Sequence, residues 1–191
     1  MDRAAVEVLV RSAAAGDQDA FDELVARYSG LVWAVVRAHR LGDADAQDVF
    51  QTTWLRLVEH LDRLRDPRAV GGWLATTARH ESLRLLRAAD RTRPVAADEL
   101  DLADESRPAS DAGLLGDEQR AVVWAAFDQL GERCRGLLRL LMADPTPSYE
   151  EVGAALDMPI GSIGPTRGRC LGQLREHLRT RGITPSTRYS G

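Results

Sequence analysis

The chain has no lysine; all of its 25 basic residues are arginine. Arginine presents a rigid planar fork suited to bidentate contact with phosphate and guanine, although a GC-rich genome would leave the same bias. Cysteine is almost as scarce. Cys134 and Cys170 lie far apart, with no His/Cys cluster around either. A structural zinc site needs about four closely spaced ligands, so no metal is expected, and the two thiols should be reduced. No apolar run approaches the roughly 20 residues of a membrane span, so no membrane partner is expected. The first residues include Asp2, Arg3 and Glu7 and no apolar signal core, which predicts a cytoplasmic protein. P-loop, nucleophile elbow, metal cluster and paired carboxylates are also missing. The chain is therefore expected not to be an enzyme, with no catalytic residue and no cofactor.

What is there suits a soluble globular chain of one or two small domains: 191 residues, 44% hydrophobic and 28% charged. The net charge of −4 argues mildly against nucleic acid, but the charges are segregated. Five arginines between Arg79 and Arg93 face two acids, and five between Ile160 and Arg181 face one. From Val95 to Glu118 eight acids face only Arg107. Two basic segments thus flank an acidic one.

Apolar residues recur at helical spacing almost throughout. Residues 1–15 predict a short helix, ended at Gly16 with Asp17 as the next N-cap. Phe21, Leu24, Val25, Tyr28, Val32, Val35 and Val36 form a core stripe. In the helix after Asp43, Trp54, Leu57, Val58, Leu61 and Leu64 are expected to be buried, with Asp45, Asp48, Thr52 and Glu59 on another face. Pro67 and Gly71-Gly72 break the chain before a helix carrying Thr76, Arg79, His80, Arg84 and Arg87 on one side. Periodicity fails from Asp90 to Gly116, as in a solvated tether. A helix over 118–131 and another around Leu137–Met142 follow. Ser148 and Glu151 then read as a capping box, Asp157–Gly161 as a turn, and the segment to Arg181 as a longer basic helix. Short helix, tight turn and longer helix make a helix-turn-helix.

Two blocks carry a family resemblance. DAQDVFQTTWLR, followed by GWLATTARH, resembles the promoter-melting domain of bacterial extracytoplasmic-function sigma factors. LGERCR, SYEEVG and GSIGPT resemble the −35-reading domain of the same family. Gln47 replaces the family's usual Glu, His80 its Asn, and Gly164, Pro165 and Thr166 replace Lys-Ser-Arg. Pro165 is expected in the first turn of its helix, where a missing N–H costs nothing.

The resemblance implies an all-α fold of two small helical domains. Residues 1–90 correspond to sigma region 2, 91–116 to a flexible acidic linker, 117–181 to the region 4 helix-turn-helix and 182–191 to a polar tail. It implies a dissociable subunit that binds core RNA polymerase, through the β′ coiled coil and the β subunit, and directs promoter recognition and strand opening. Asp45, Asp48 and Gln51 would bind core polymerase. Arg65, Arg68, Thr76, Arg79, His80, Arg84 and Arg87 would hold the −10 element as single-stranded DNA. Ser162, Thr166, Arg167 and Arg169 would read duplex DNA at −35. An anti-sigma factor is a further implied partner. The alternative is a stand-alone helix-turn-helix regulator, which accounts for Ser148–Arg181 and leaves the Asp45 and Arg79 faces unused.

Overall fold

The computed structural model describes residues 3–92 and 117–183, and every regular element among them is helical. The elements are α1 (Arg3–Ala14), α2 (Gln18–Ala38), α3 (Asp43–His60), α4 (Val70–Thr92), α5 (Asp117–Asp128), α6 (Glu132–Leu141), α7 (Tyr149–Leu156) and α8 (Ile160–Thr180). Two short 3-10 turns, Leu61–Arg63 and Pro67–Ala69, join α3 to α4. Of the expected linker, only Arg91 and Thr92 are described, as the end of α4; 93–116 lie outside the described residues, as do 184–191 of the expected tail.

Helices α1 to α3 form where their signals predict, but α4 begins at Val70, so Gly71 and Gly72, expected to break the chain before it, lie within its first turn. The Asp17 side chain accepts from the Ala20 amide and starts α2. Leu24, Tyr28, Val32, Val35 and Val36 are buried along α2. Asp43 and Asp45 in the first turn of α3 favour that helix through its dipole. Trp33 stacks on Phe50 at 4.5 Å between centroids, and Trp54 meets both Phe21 and Phe50 edge-on, so aromatic contacts join α2 to α3. One expected core position is wrong. Val58 is 55% exposed, because the buried side of α3 runs through Ala46, Val49, Thr53, Trp54 and Leu57.

In the C-terminal half, Ser148 and Glu151 form the expected capping box at the start of α7. Asp157 ends that helix in the left-handed conformation at φ 54°, a geometry that Asp tolerates better than most residues. Pro165 is not in the first turn of α8. It is the sixth residue, so the Gly161 carbonyl receives no helical N–H from it. The two cysteines are also not free: Cys134 on α6 and Cys170 on α8 form a disulfide, with Cα atoms 5.3 Å apart. A sequence separation of 36 hides that pairing, which arises because α6 packs against α8.

The two halves pack on each other. α7 lies against α4, α6 lies against α2, and buried apolar residues from both halves form one cluster. Small residues permit the approach. A Cβ at Gly71 would strike the Glu151 carboxylate, and one at Gly30 would strike the Asp144 carbonyl. The Gly136 position sits 3.5 Å from the Ala38 Cβ by the same construction. Across the junction Arg79 pairs with Asp157 at 3.0 Å, and Arg139 donates to the Arg37 carbonyl at 3.0 Å.

Candidate functional site

Asp45, Asp48 and Gln51 are all exposed on α3. Steps of three and four residues continue this face through Thr52 to Leu55 and Glu59. Leu55 is 64% exposed, and with Val58 it adds an apolar strip beside the acids. A shallow cleft lined by Asp48, Gln51, Thr52, Leu55, Glu81 and Arg84 separates this face from α4. Its floor is a charge network. The buried Glu81 accepts from Arg84 at 2.7 Å and from Arg56 of α3 at 2.9 Å. Glu81 thereby ties α3 to α4, and Arg84 is partly committed to that tie. The sequence signal was available: Glu81 is the lone acid among the basic residues from Arg79 to Arg87.

The loop before α4 is fastened at both sides. The Asp66 side chain accepts from the amide and from Nε of Arg68, and Arg68 also lies 3.7 Å from Glu7 of α1. Arg65 is exposed. Along α4, His80, Arg84 and Arg87 are exposed and Thr76 is half-buried. The Arg79 side chain is only 20% exposed, held against the C-terminal half through Asp157. The −10 candidates of α4 therefore share one side of that helix, with Arg65 and Arg68 in the loop before it, but the N-terminal portion of that side is covered.

On α8 the candidates divide. Arg167 and Arg169 are exposed. The Ser162 hydroxyl donates to the Pro159 carbonyl at 2.7 Å, within its own first turn. Thr166 is buried, and its Oγ1 accepts from Arg169 at 3.2 Å. Helical spacing puts Ile163, Thr166 and Cys170 on the buried side, so Thr166 points away from solvent here.

Two titratable groups record the packing of the halves. Burial, reinforced by the nearby Glu151 carboxylate, pushes the Tyr28 hydroxyl up to about 12, with Arg27 opposing. Burial also lowers the His39 pKa, aided by Arg79 and opposed by Glu132 of α6. Its Nε2 is buried with no hydrogen-bond partner. His39 is therefore packed neutral. A histidine whose folded pKa is depressed contributes stability above its ordinary value of 6.5, lost as pH falls through that value toward the lowered one. Unfolding midpoints measured across that window should drop with pH, and His39→Gln should flatten the drop. An unchanged slope in the variant would assign it to another group.

Residues 24–92 match the Sigma-70 region 2 family. The chain is 30% identical over 167 residues to the ECF RNA polymerase sigma-E factors of Salmonella typhimurium and Escherichia coli, covering 82% of this chain and 85% of each relative. This chain belongs to the extracytoplasmic-function sigma factor family. The RNA polymerase sigma-H factor of Pseudomonas aeruginosa is 27% identical over 163 residues, covering 81% of this chain and 84% of its own. The fold is that of CnrH in complex with the cytosolic domain of CnrY, at TM-score 0.62 and 22% identity, covering 92% and 98% of the two chains. It is also that of the Bartonella quintana sigma factor RpoE bound to the anti-sigma factor NepR, at TM-score 0.60 and 22% identity, covering 83% and 96%. The family match of this sigma factor takes in the whole of α3 and α4, so the acidic face, the Glu81 tie and the Arg79 side all fall inside it. No helix among its described residues is long and apolar enough to cross a membrane.

Proposed function

We propose that this sigma factor docks on core RNA polymerase through the exposed face of α3 and carries the complex to promoters, where its two arginine-bearing helices hold DNA. The observation that supports this best is the segregation on α3. Asp45, Asp48 and Gln51 stay exposed while the opposite side is fully packed, and Leu55 and Val58 extend the face with apolar surface. Carboxylates and an amide can make charge-assisted hydrogen bonds to arginines of a polar coiled coil, while the apolar strip adds desolvation. The β′ coiled coil is the docking partner this chemistry fits, with the β subunit alongside. An anti-sigma factor belongs among the partners, as for the Bartonella relative.

Residues 1–90 act as the core-binding and −10 unit and 117–181 as the −35 unit. Arg65, Arg68, Thr76, Arg79, His80 and Arg87 hold the unpaired strand, with Arg84 contributing from its tie to Glu81. The loop carries no aromatic residue, so a flipped base would be held by hydrogen bonds and arginine stacking. On α8, Arg167 and Arg169 are the accessible contacts to duplex DNA. The work is binding and positioning in the cytoplasm, without covalent chemistry on this chain. A stand-alone regulator would have no use for the α3 face.

Reconstituted transcription tests this reading. The chain added to core enzyme on a genomic fragment library should start RNA at defined sites. Arg167→Ala with Arg169→Ala should weaken promoter binding by the holoenzyme and reduce the slope of log affinity against log salt by about two, one per lost phosphate contact. Sequence-specific DNA binding without any association with core would overturn the assignment in favour of the stand-alone regulator.

A further inference from the structure

Four arginines gather where the end of α2 meets α6, none of them among the DNA or polymerase contacts assigned above. Arg139 of α6 donates from Nη1 to the Arg37 carbonyl at 3.0 Å, and the Arg40 amide donates to the same carbonyl at 3.4 Å. Arg135 lies one turn before Arg139 and is buried, its Nη1 donating to the Asp128 carbonyl at 2.6 Å. These charges act on one another. Burial lowers the pKa of Arg139, and Arg40 and Arg37 lower it further. Burial likewise lowers that of Arg135, aided by Arg40 and opposed by Glu132 and Asp128. Arg37 and Arg40 are exposed. Among the described residues no carboxylate pairs with either, and no hydrogen bond uses either side chain. The Arg37 guanidinium lies over the Trp33 ring at 5.4 Å and that of Arg139 over the Phe127 ring at 5.5 Å. Such contacts fix the plane of a guanidinium through its flat face and use none of its N–H edge. Arg40 sits in the left-handed conformation at φ 52°, a turn that favours Asn or Gly.

We propose that this cluster is a binding site for a compact polyphosphate anion, whose linked phosphate groups bridge Arg37 and Arg40 of α2 and its end to Arg139 of α6, with Arg135 adding charge from the interior. Like charges held together destabilise the fold that holds them, and a bound anion removes that repulsion. Phosphate oxygens also match the N–H edges of guanidinium, which take them in pairs. The geometry favours a compact ligand. An extended strand needs its contacts spread along a track, whereas three of these arginines meet around one backbone carbonyl. Inorganic polyphosphate and the tail of a nucleoside polyphosphate offer the same linked phosphates. The site draws on both halves of the chain, so its ligand stabilises their packed arrangement by mass action. The proposal does not depend on the DNA or polymerase contacts assigned above.

Isothermal titration of the full chain with tripolyphosphate, ATP and sulfate, at fixed ionic strength and without divalent metal, tests the site. Tripolyphosphate should bind one to one, at least about tenfold more tightly than sulfate, and should raise the unfolding midpoint. Comparable binding of ATP would support a nucleotide source, and binding of tripolyphosphate alone an inorganic one. Two variants remove charge at little risk to the fold. Arg40→Asn suits the left-handed turn, and Arg37→Gln leaves a long polar side chain on an exposed helical position. Each should weaken tripolyphosphate binding by about tenfold, as expected for one lost charge-assisted contact, with circular dichroism unchanged. The chain carrying Arg167→Ala with Arg169→Ala should bind it as the wild type does. No detectable binding at millimolar tripolyphosphate would overturn the proposal. Unchanged affinity in Arg40→Asn and Arg37→Gln would do the same, as would an equal loss in the Arg167 and Arg169 variant, since binding would then follow overall charge. A single-stranded oligonucleotide that displaces tripolyphosphate and itself loses affinity in Arg40→Asn would make the cluster a nucleic-acid contact instead.

Discussion

Asp48→Arg should cut association with core polymerase by at least about a hundredfold and abolish promoter-dependent transcription, leaving helical content intact. A carboxylate meeting arginines across an interface contributes favourably, and its reversal places like charges together at a cost of several kcal/mol. Each 1.4 kcal/mol is about a factor of ten, so a cost of about 3 kcal/mol suffices. Nothing in the folded chain should resist the change. Asp48 is exposed on α3, and arginine is at least as good a helix former as aspartate. Affinity for labelled core enzyme and circular dichroism of the free variant check the two halves of the expectation. Retained core binding would move the docking surface off α3. Leu55→Asp should weaken binding less, since it removes apolar contact without reversing a charge.

Breaking the Cys134–Cys170 bond should cost about 3 to 4 kcal/mol of stability in the C-terminal half. The bond closes a sequence separation of 36 residues, and a chain-entropy treatment of a loop that size gives roughly this value. Domains of this kind are stable by only about 5 to 15 kcal/mol, so the loss is a large share of the total. Cys134→Ser is the suitable variant, because it leaves the fully buried Cys170 in place as a small apolar side chain and opens no cavity there. Urea unfolding of the wild type should shift on adding a reductant, and the variant should already sit at the shifted midpoint and ignore the reductant. A wild type indifferent to reductant would mean that the pair is not bonded in solution.

Local chemistry was legible residue by residue. Asp17 and Ser148 announce helix starts because a short oxygen-bearing side chain can satisfy an amide that the helix leaves open. The stripe from Leu24 to Val36 announces a buried face because its spacing matches the helical turn. The acidic face of α3 was readable in the same way, since Asp45, Asp48 and Gln51 need only one helix to come together.

What depended on more than one helix was not legible. Val58 looked apolar enough to be core, yet the packing partners of α3 leave it outside. Thr166 looked like a DNA contact, yet the C-terminal half packs on that side of α8. Cys134 and Cys170 met only because α6 and α8 pack together.

The sequence by itself determined the helical character of the described residues, the starts marked by Asp17 and Ser148 and the charged side of α3, because those follow from spacing within about one to two turns. The starts of α4 and α8 were misplaced, around Gly71-Gly72 and Pro165. Only the tertiary structure decided that Arg79 would meet Asp157 and Gly71 would meet Glu151. Contacts between residues some 80 positions apart depend on which helix faces can approach closely, and no local pattern encodes that choice.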